Sequence, residues 1–183
     1  MTASVREATD VLRRTPEVLR ALLGGIDASW IGTTDVPDQG WRPKDVVGHL
    51  ITGELSDWIA RTERILEHGT ERPFDRFQRF AHEDRDAGAT LDDLLERFAT
   101  LRAANLARLE ELVADADLDR RGMHPSLGEV TLRELISTWA VHDLDHTAQV
   151  FAAMAASHDA DVGPWKAYLG ILLRRDNPSA TAG

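Results

Sequence analysis

The chain contains no cysteine. This absence excludes disulfides, thiolate nucleophiles, zinc ribbons and iron–sulfur clusters together, so any metal must be held by imidazole and carboxylate. Positive charge is also scarce, with 21 Lys and Arg against 31 Asp and Glu and a net charge of −10. The densest basic clusters are the pairs Arg13-Arg14, Arg120-Arg121 and Arg174-Arg175. A sequence-independent grip on nucleic acid needs a basic face that displaces counterions from phosphates, so no nucleic-acid partner is expected. No apolar run approaches the length of a membrane span, and Met1-Thr-Ala-Ser-Val-Arg-Glu7 lacks the apolar segment of a signal peptide. The expectation is a cytoplasmic protein without a membrane partner. Lysine is rare too: Lys44 and Lys166 stand alone among arginines, which fits a GC-rich bacterial host.

What remains is an ordinary globular composition, 43% hydrophobic and 28% charged. With 183 residues and no repeat, linker or composition shift, the chain is expected to form one domain over residues 1–183. The apolar period is 3.6 nearly throughout, so the expected class is all-α, with no convincing strand. A first helix is expected over about 3–24, broken or restarted at Thr15-Pro16 and ended by Gly24-Gly25. The second starts at Pro43 and runs to about His68, followed by a charged loop to about residue 89. Thr90-Leu-Asp-Asp93 reads as a capping box for a third helix to about 114. Thr131 caps a fourth to about 156, and a short last helix falls around 163–174. Four amphipathic helices hide their apolar faces most economically as a bundle.

Histidine supplies the chemistry. His142 and His146 stand at i and i+4, one above the other beside the stripe Leu132, Leu135, Trp139, Val150 and Ala153. That spacing lets two imidazoles reach one ion, but taken alone it is weak evidence and suits better two core histidines hydrogen-bonded in the interior. His49 on the second helix has the small neighbours Gly53, Ser56 and Ala60. These fit close helix packing and, equally, a cavity above an ion. Three imidazoles on one ion leave a coordination position open, as catalysis requires and structural zinc sites do not allow. Asp143 and Asp145 are candidates to orient an imidazole N–H from behind, against the plainer reading of Asp145 as surface charge. A buried Asp143 would need a partner. His68, His82, His124 and His158 carry less weight: a helix end, a charged loop, turn chemistry before Pro125, and the turn before the last helix.

The stretches Gly40-Trp-Arg-Pro-Lys-Asp-Val-Val-Gly-His49-Leu50, His124 to Val150, and Gly163-Pro-Trp-Lys-Ala-Tyr-Leu169 resemble the DinB/YfiT-type family, the second of them most specifically. The resemblance implies an up-down-down-up four-helix bundle with a short extra C-terminal helix. It implies one divalent ion, zinc or nickel, on a histidine of the second helix and two of the fourth, here His49, His142 and His146. It also implies a homodimer. Arg42 departs from the pattern, since relatives often carry Ser or Thr before the proline. Relatives include bacillithiol S-transferases, mycothiol-dependent maleylpyruvate isomerases and proteins described as metal-dependent hydrolases. The leading expectation is therefore a metal-dependent enzyme that activates a low-molecular-weight thiol or water toward a small substrate. Two others stand beside it: a non-catalytic metal- or ligand-binding stress protein, and a bundle whose histidines are only core residues.

Overall fold

The computed structural model describes residues 3–32 and 41–173; Gly40 and the Arg174-Arg175 pair lie outside them. In order come α1 (Ala3–Leu23), a 3-10 turn (Ala28–Trp30), α2 (Pro43–Ser56), α3 (Trp58–His68) and α4 (Ala81–Arg85). Then follow α5 (Leu91–Val113), strands β1 (Arg121–His124) and β2 (Gly128–Thr131), α6 (Leu132–Ser157), a 3-10 turn (Gly163–Tyr168) and α7 (Gly170–Leu173). The long helices form a four-helix bundle, with α2 and α3 acting as successive parts of one member. Helix α1 packs chiefly on α6 and α5, and α2 on α5 and α6. The first and second members thus face each other across a diagonal, which makes α2 and α6 neighbours.

Each helix starts where its chemistry directs. Thr90 and Thr131 accept the backbone N–H of Asp93 and Glu134, whose carboxylates return to the threonine N–H groups at 3.0 and 2.7 Å. Arg42 cannot cap in that way, but the Asp45 carboxylate accepts both its backbone N–H and its guanidinium. The departure at Arg42 is thereby offset within one turn.

Two expectations are corrected. Helix α1 is not broken at Pro16 but runs through it. Proline lacks the N–H that would bond to residue i−4, leaving the carbonyl of Leu12 without its helical donor. Arg102 from α5 supplies a replacement, donating from Nη1 to the Leu12 oxygen at 2.7 Å. The second correction is an antiparallel hairpin, pairing Arg121 with Thr131 through His124 with Gly128. Its short strands show no apolar alternation. They are fixed instead by contacts from outside: Phe74 N–H donates to the Met123 carbonyl, and Gly122 packs where a Cβ would stand 2.6 Å from Ile65 and 3.0 Å from Phe74.

The second member is irregular at Asp57, although hydrogen bonds continue across it from Asp57 to Gly53 and from Arg61 to Asp57. Trp58 lies over Gly53, where a Cβ would meet its Nε1 at 2.8 Å. Gly53 therefore serves Trp58, which stacks on Trp139 at 5.6 Å and 9° and points an edge at His142. The two indoles form an apolar wall behind the histidines.

Arg102 occupies a position in the apolar stripe of α5, between Phe98 and Leu106, and is 1% exposed. Its five N–H groups are all used. Nε and Nη2 donate to Glu54 on α2, Nη1 and Nη2 to Asp143 on α6, and Nη1 to Leu12 on α1. Asn105 donates to the second oxygen of Glu54 at 2.9 Å. One guanidinium thus ties together all four members of the bundle.

Candidate metal centre

Helix α2 delivers His49 and α6 delivers His142 and His146 to one point between them. The Nε2 atoms of His49 and His142 are 3.3 Å apart, and those of His142 and His146 are 3.1 Å apart. Among the described residues these three form the one group of histidine or carboxylate side chains arranged to share an ion. Among the described residues no carboxylate joins them. Nitrogens bound tetrahedrally at about 2.0–2.1 Å stand roughly 3.3 Å from one another, so the observed spacings match those around zinc.

The outer nitrogens explain which atoms face inward. His49 Nδ1 lies 3.3 Å from the carbonyl oxygen of Arg79, and His146 Nδ1 lies 2.8 Å from Gln149 Oε1. Oxygens of this kind accept from N–H, so each Nδ1 carries the proton and each Nε2 presents a lone pair. The bonds on these two rings run to Arg79 and Gln149, not to Asp143 or Asp145. Both oxygens of Asp143 are held by Arg102 at 2.5 and 3.0 Å, and Asp145 is exposed. The partner expected for a buried Asp143 is therefore Arg102.

Burial keeps the triad neutral. It pushes His49 and His142 down to about 3, with the charge that His146 would carry adding to the effect. His146 is also lowered, mainly by burial, against the opposing hydrogen bond to Gln149. Neutral imidazoles with inward lone pairs are the form a metal requires. Zinc binding at pH 6 is accordingly expected to release less than one proton from the three rings. An ordinary exposed triad would release about two. Calorimetric titration in buffers of differing ionisation enthalpy measures the number, and a release of two or more would contradict buried neutral ligands.

Several residues at the site escaped the sequence reading. Trp41 lies 4.5 Å from His49 and stacks on His146 at 6.0 Å and 25°. Phe77 meets His49 edge-on at 5.3 Å. His82, expected in a charged loop, is 3% exposed on α4 and packs edge-on against Trp41. Gln149 was legible in principle, because it lies three residues beyond His146 on the same helical face. Phe77, Arg79 and His82 belong to a segment without periodicity where no sequence signal points to them, and Trp41 stands in the stretch that carries the family resemblance, which assigns it no role. His124, by contrast, does perform turn chemistry, its Nδ1 accepting from the N–H groups of Ser126 and Leu127.

Among curated proteins none matches the sequence. In structure, the chain is similar to YfiT from Bacillus subtilis, described as a probable metal-dependent hydrolase with an unusual four-helix bundle topology. The TM-score is 0.70 at 21% identity, covering 85% of this chain and 89% of that one. The sequence model of the DinB superfamily matches residues 11–150, the span that holds α2, α5 and all three histidines. The chain belongs to the DinB superfamily.

Proposed function

We propose that the protein is a metal-dependent enzyme, with His49, His142 and His146 holding one divalent ion, zinc or nickel. The observation that carries this reading is the convergence of three Nε2 atoms, two of them fixed as lone-pair donors by hydrogen bonds behind the ring. When bound, the ion supplies Lewis acidity that lowers the pKa of a low-molecular-weight thiol or a water and so activates it. The chain contributes the rest. Arg79 and Gln149 hold two rings in place, and Trp41, Trp58 and Phe77 surround the triad with apolar surface that keeps the imidazoles neutral. A thiol or water activated in this way would serve for transfer to, or hydrolysis of, a small substrate.

The test is to load the purified protein with zinc or nickel. Bacillithiol, mycothiol and glutathione are then assayed with model electrophiles, beside ester and amide hydrolysis. Metal-dependent turnover that disappears in His142→Ala supports the enzyme. Tight ligand binding without turnover would instead favour the non-catalytic binding protein. The purely structural reading has its own geometry: a proton on His142 Nε2 shared with the lone pairs of His49 and His146.

A cytoplasmic homodimer is part of the same proposal. Val141, Leu144 and Phe151 are exposed along one stripe of α6, which is apolar surface for a second copy to cover. Sedimentation giving the mass of one chain would remove the dimer without touching the metal site.

A further inference from the structure

The segment between α3 and α5 brings side chains to the site that the metal reading leaves without a task. The carbonyl of Arg79 holds His49, but its guanidinium goes elsewhere. It lies 4.9 Å from the Trp41 ring and 5.8 Å from Phe80. Trp41 in turn covers His49 and His146. The charge of Arg79 is therefore held one aromatic ring away from the triad. Among the described residues no carboxylate is bonded to this guanidinium, whereas Arg61, Arg64, Arg85, Arg97, Arg102 and Arg108 each hold one. The nearby carboxylate of Asp45 is engaged by Arg42, and that of Asp145 points from the exposed side of α6.

His82 meets the same indole edge-on, with ring centres 5.0 Å apart and an angle of 82°. It is 3% exposed, and among the described residues neither of its buried ring nitrogens has a hydrogen-bond partner. Its place is prepared by Gly48, where a Cβ would stand 3.0 Å from the Cβ of His82. A buried polar group left unmatched is costly, so this ring calls for a partner beyond the described residues. The ring lies 6.2 Å from that of His49, on the metal side of the fold.

We propose that Trp41, Arg79 and His82 form a recognition subsite beside the triad, and that the molecule brought to the triad carries a carboxylate. Arg79 grips the carboxylate with its planar fork, Trp41 is the flat wall against which fork and ligand lie, and His82 bonds a second polar atom of the same molecule. A guanidinium stacked on an indole keeps its edge N–H groups free for such two-point binding. One cation balances one negative charge, which favours carboxylate over phosphate. The placing of the subsite rests on the metal-enzyme reading, but none of its three residues belongs to the triad.

Calorimetric titration of the full chain, metal-free and zinc-loaded, tests this with a charge series: succinate, its monoamide succinamate, the neutral diamide, and inorganic phosphate. Succinate and succinamate are expected to bind and the diamide not to bind. Arg79→Gln should weaken binding at least tenfold and Arg79→Lys less, with zinc stoichiometry unchanged in both. His82→Phe should also weaken it. Because Arg79 is exposed, Arg79→Gln keeps the test valid should His82→Phe fail to fold. Arg79-dependent binding in a protein that takes up no zinc would preserve the subsite and remove the metal. Zinc uptake with carboxylate binding indifferent to Arg79 would preserve the metal and overturn the subsite. Absence of carboxylate binding, or tighter Arg79-dependent binding of phosphate, would also overturn it.

Discussion

Arg102→Met is expected to destabilise the protein by about 3–5 kcal/mol, the cost of breaking a buried ion pair by removing one partner. The change strands Glu54 and Asp143, which are 5% and 0% exposed, and leaves the Leu12 carbonyl freed by Pro16 without a donor. Each stranded carboxylate must then be neutralised by a proton or remain charged in a dry interior. A typical domain is stable by only 5–15 kcal/mol, so a loss of about this size is a large part of the total. Urea unfolding followed by circular dichroism measures it. A triple variant, Glu54→Leu with Arg102→Met and Asp143→Leu, is expected to recover most of the stability, because burial of the pairs is itself costly. A loss below about 1 kcal/mol in Arg102→Met would show that the network contributes little.

The network also sets the site. Asp143 is the residue after His142, and Glu54 lies five residues beyond His49 on α2. Fixing these carboxylates on one guanidinium fixes the rotation of α6 against α2, and with it the distance between the histidines.

His142→Ala is expected to lower zinc affinity by more than a hundredfold, and Gln149→Ala by about 10–100-fold, the range for partners behind a ligand. His142 has the larger effect because its Nε2 lies within 3.3 Å of both other Nε2 atoms and so stands at the centre of the group. Gln149 only holds the tautomer and orientation of His146. Competition with a chromophoric chelator gives both affinities. Equal effects, or none for His142→Ala, would mean that the ion binds elsewhere.

Much of this was legible in the residues. Helix starts at Pro43, Thr90 and Thr131, the inward stripe of α6 and the pairing of His142 with His146 all follow from local chemistry with a period of 3.6. The remainder depends on contacts distant in sequence. Pro16 reads as a break until Arg102, 86 positions further on, satisfies the carbonyl it frees. The hairpin has no alternation to display and is held by Phe74 and Ile65. Gly53 reads equally as close packing and as a cavity beside His49, and its space is filled by Trp58. Nothing local marks Arg102, because Glu54, Asp143 and Leu12, which surround it, lie on other helices.

The most direct measurement is elemental analysis of the purified protein, after reconstitution with zinc or nickel, beside His49→Ala, His142→Ala and His146→Ala. About one equivalent of metal in the parent chain, lost in each folded variant, is the predicted result. A folded parent that takes up no ion, or a variant that retains a full equivalent, would contradict a three-histidine metal centre.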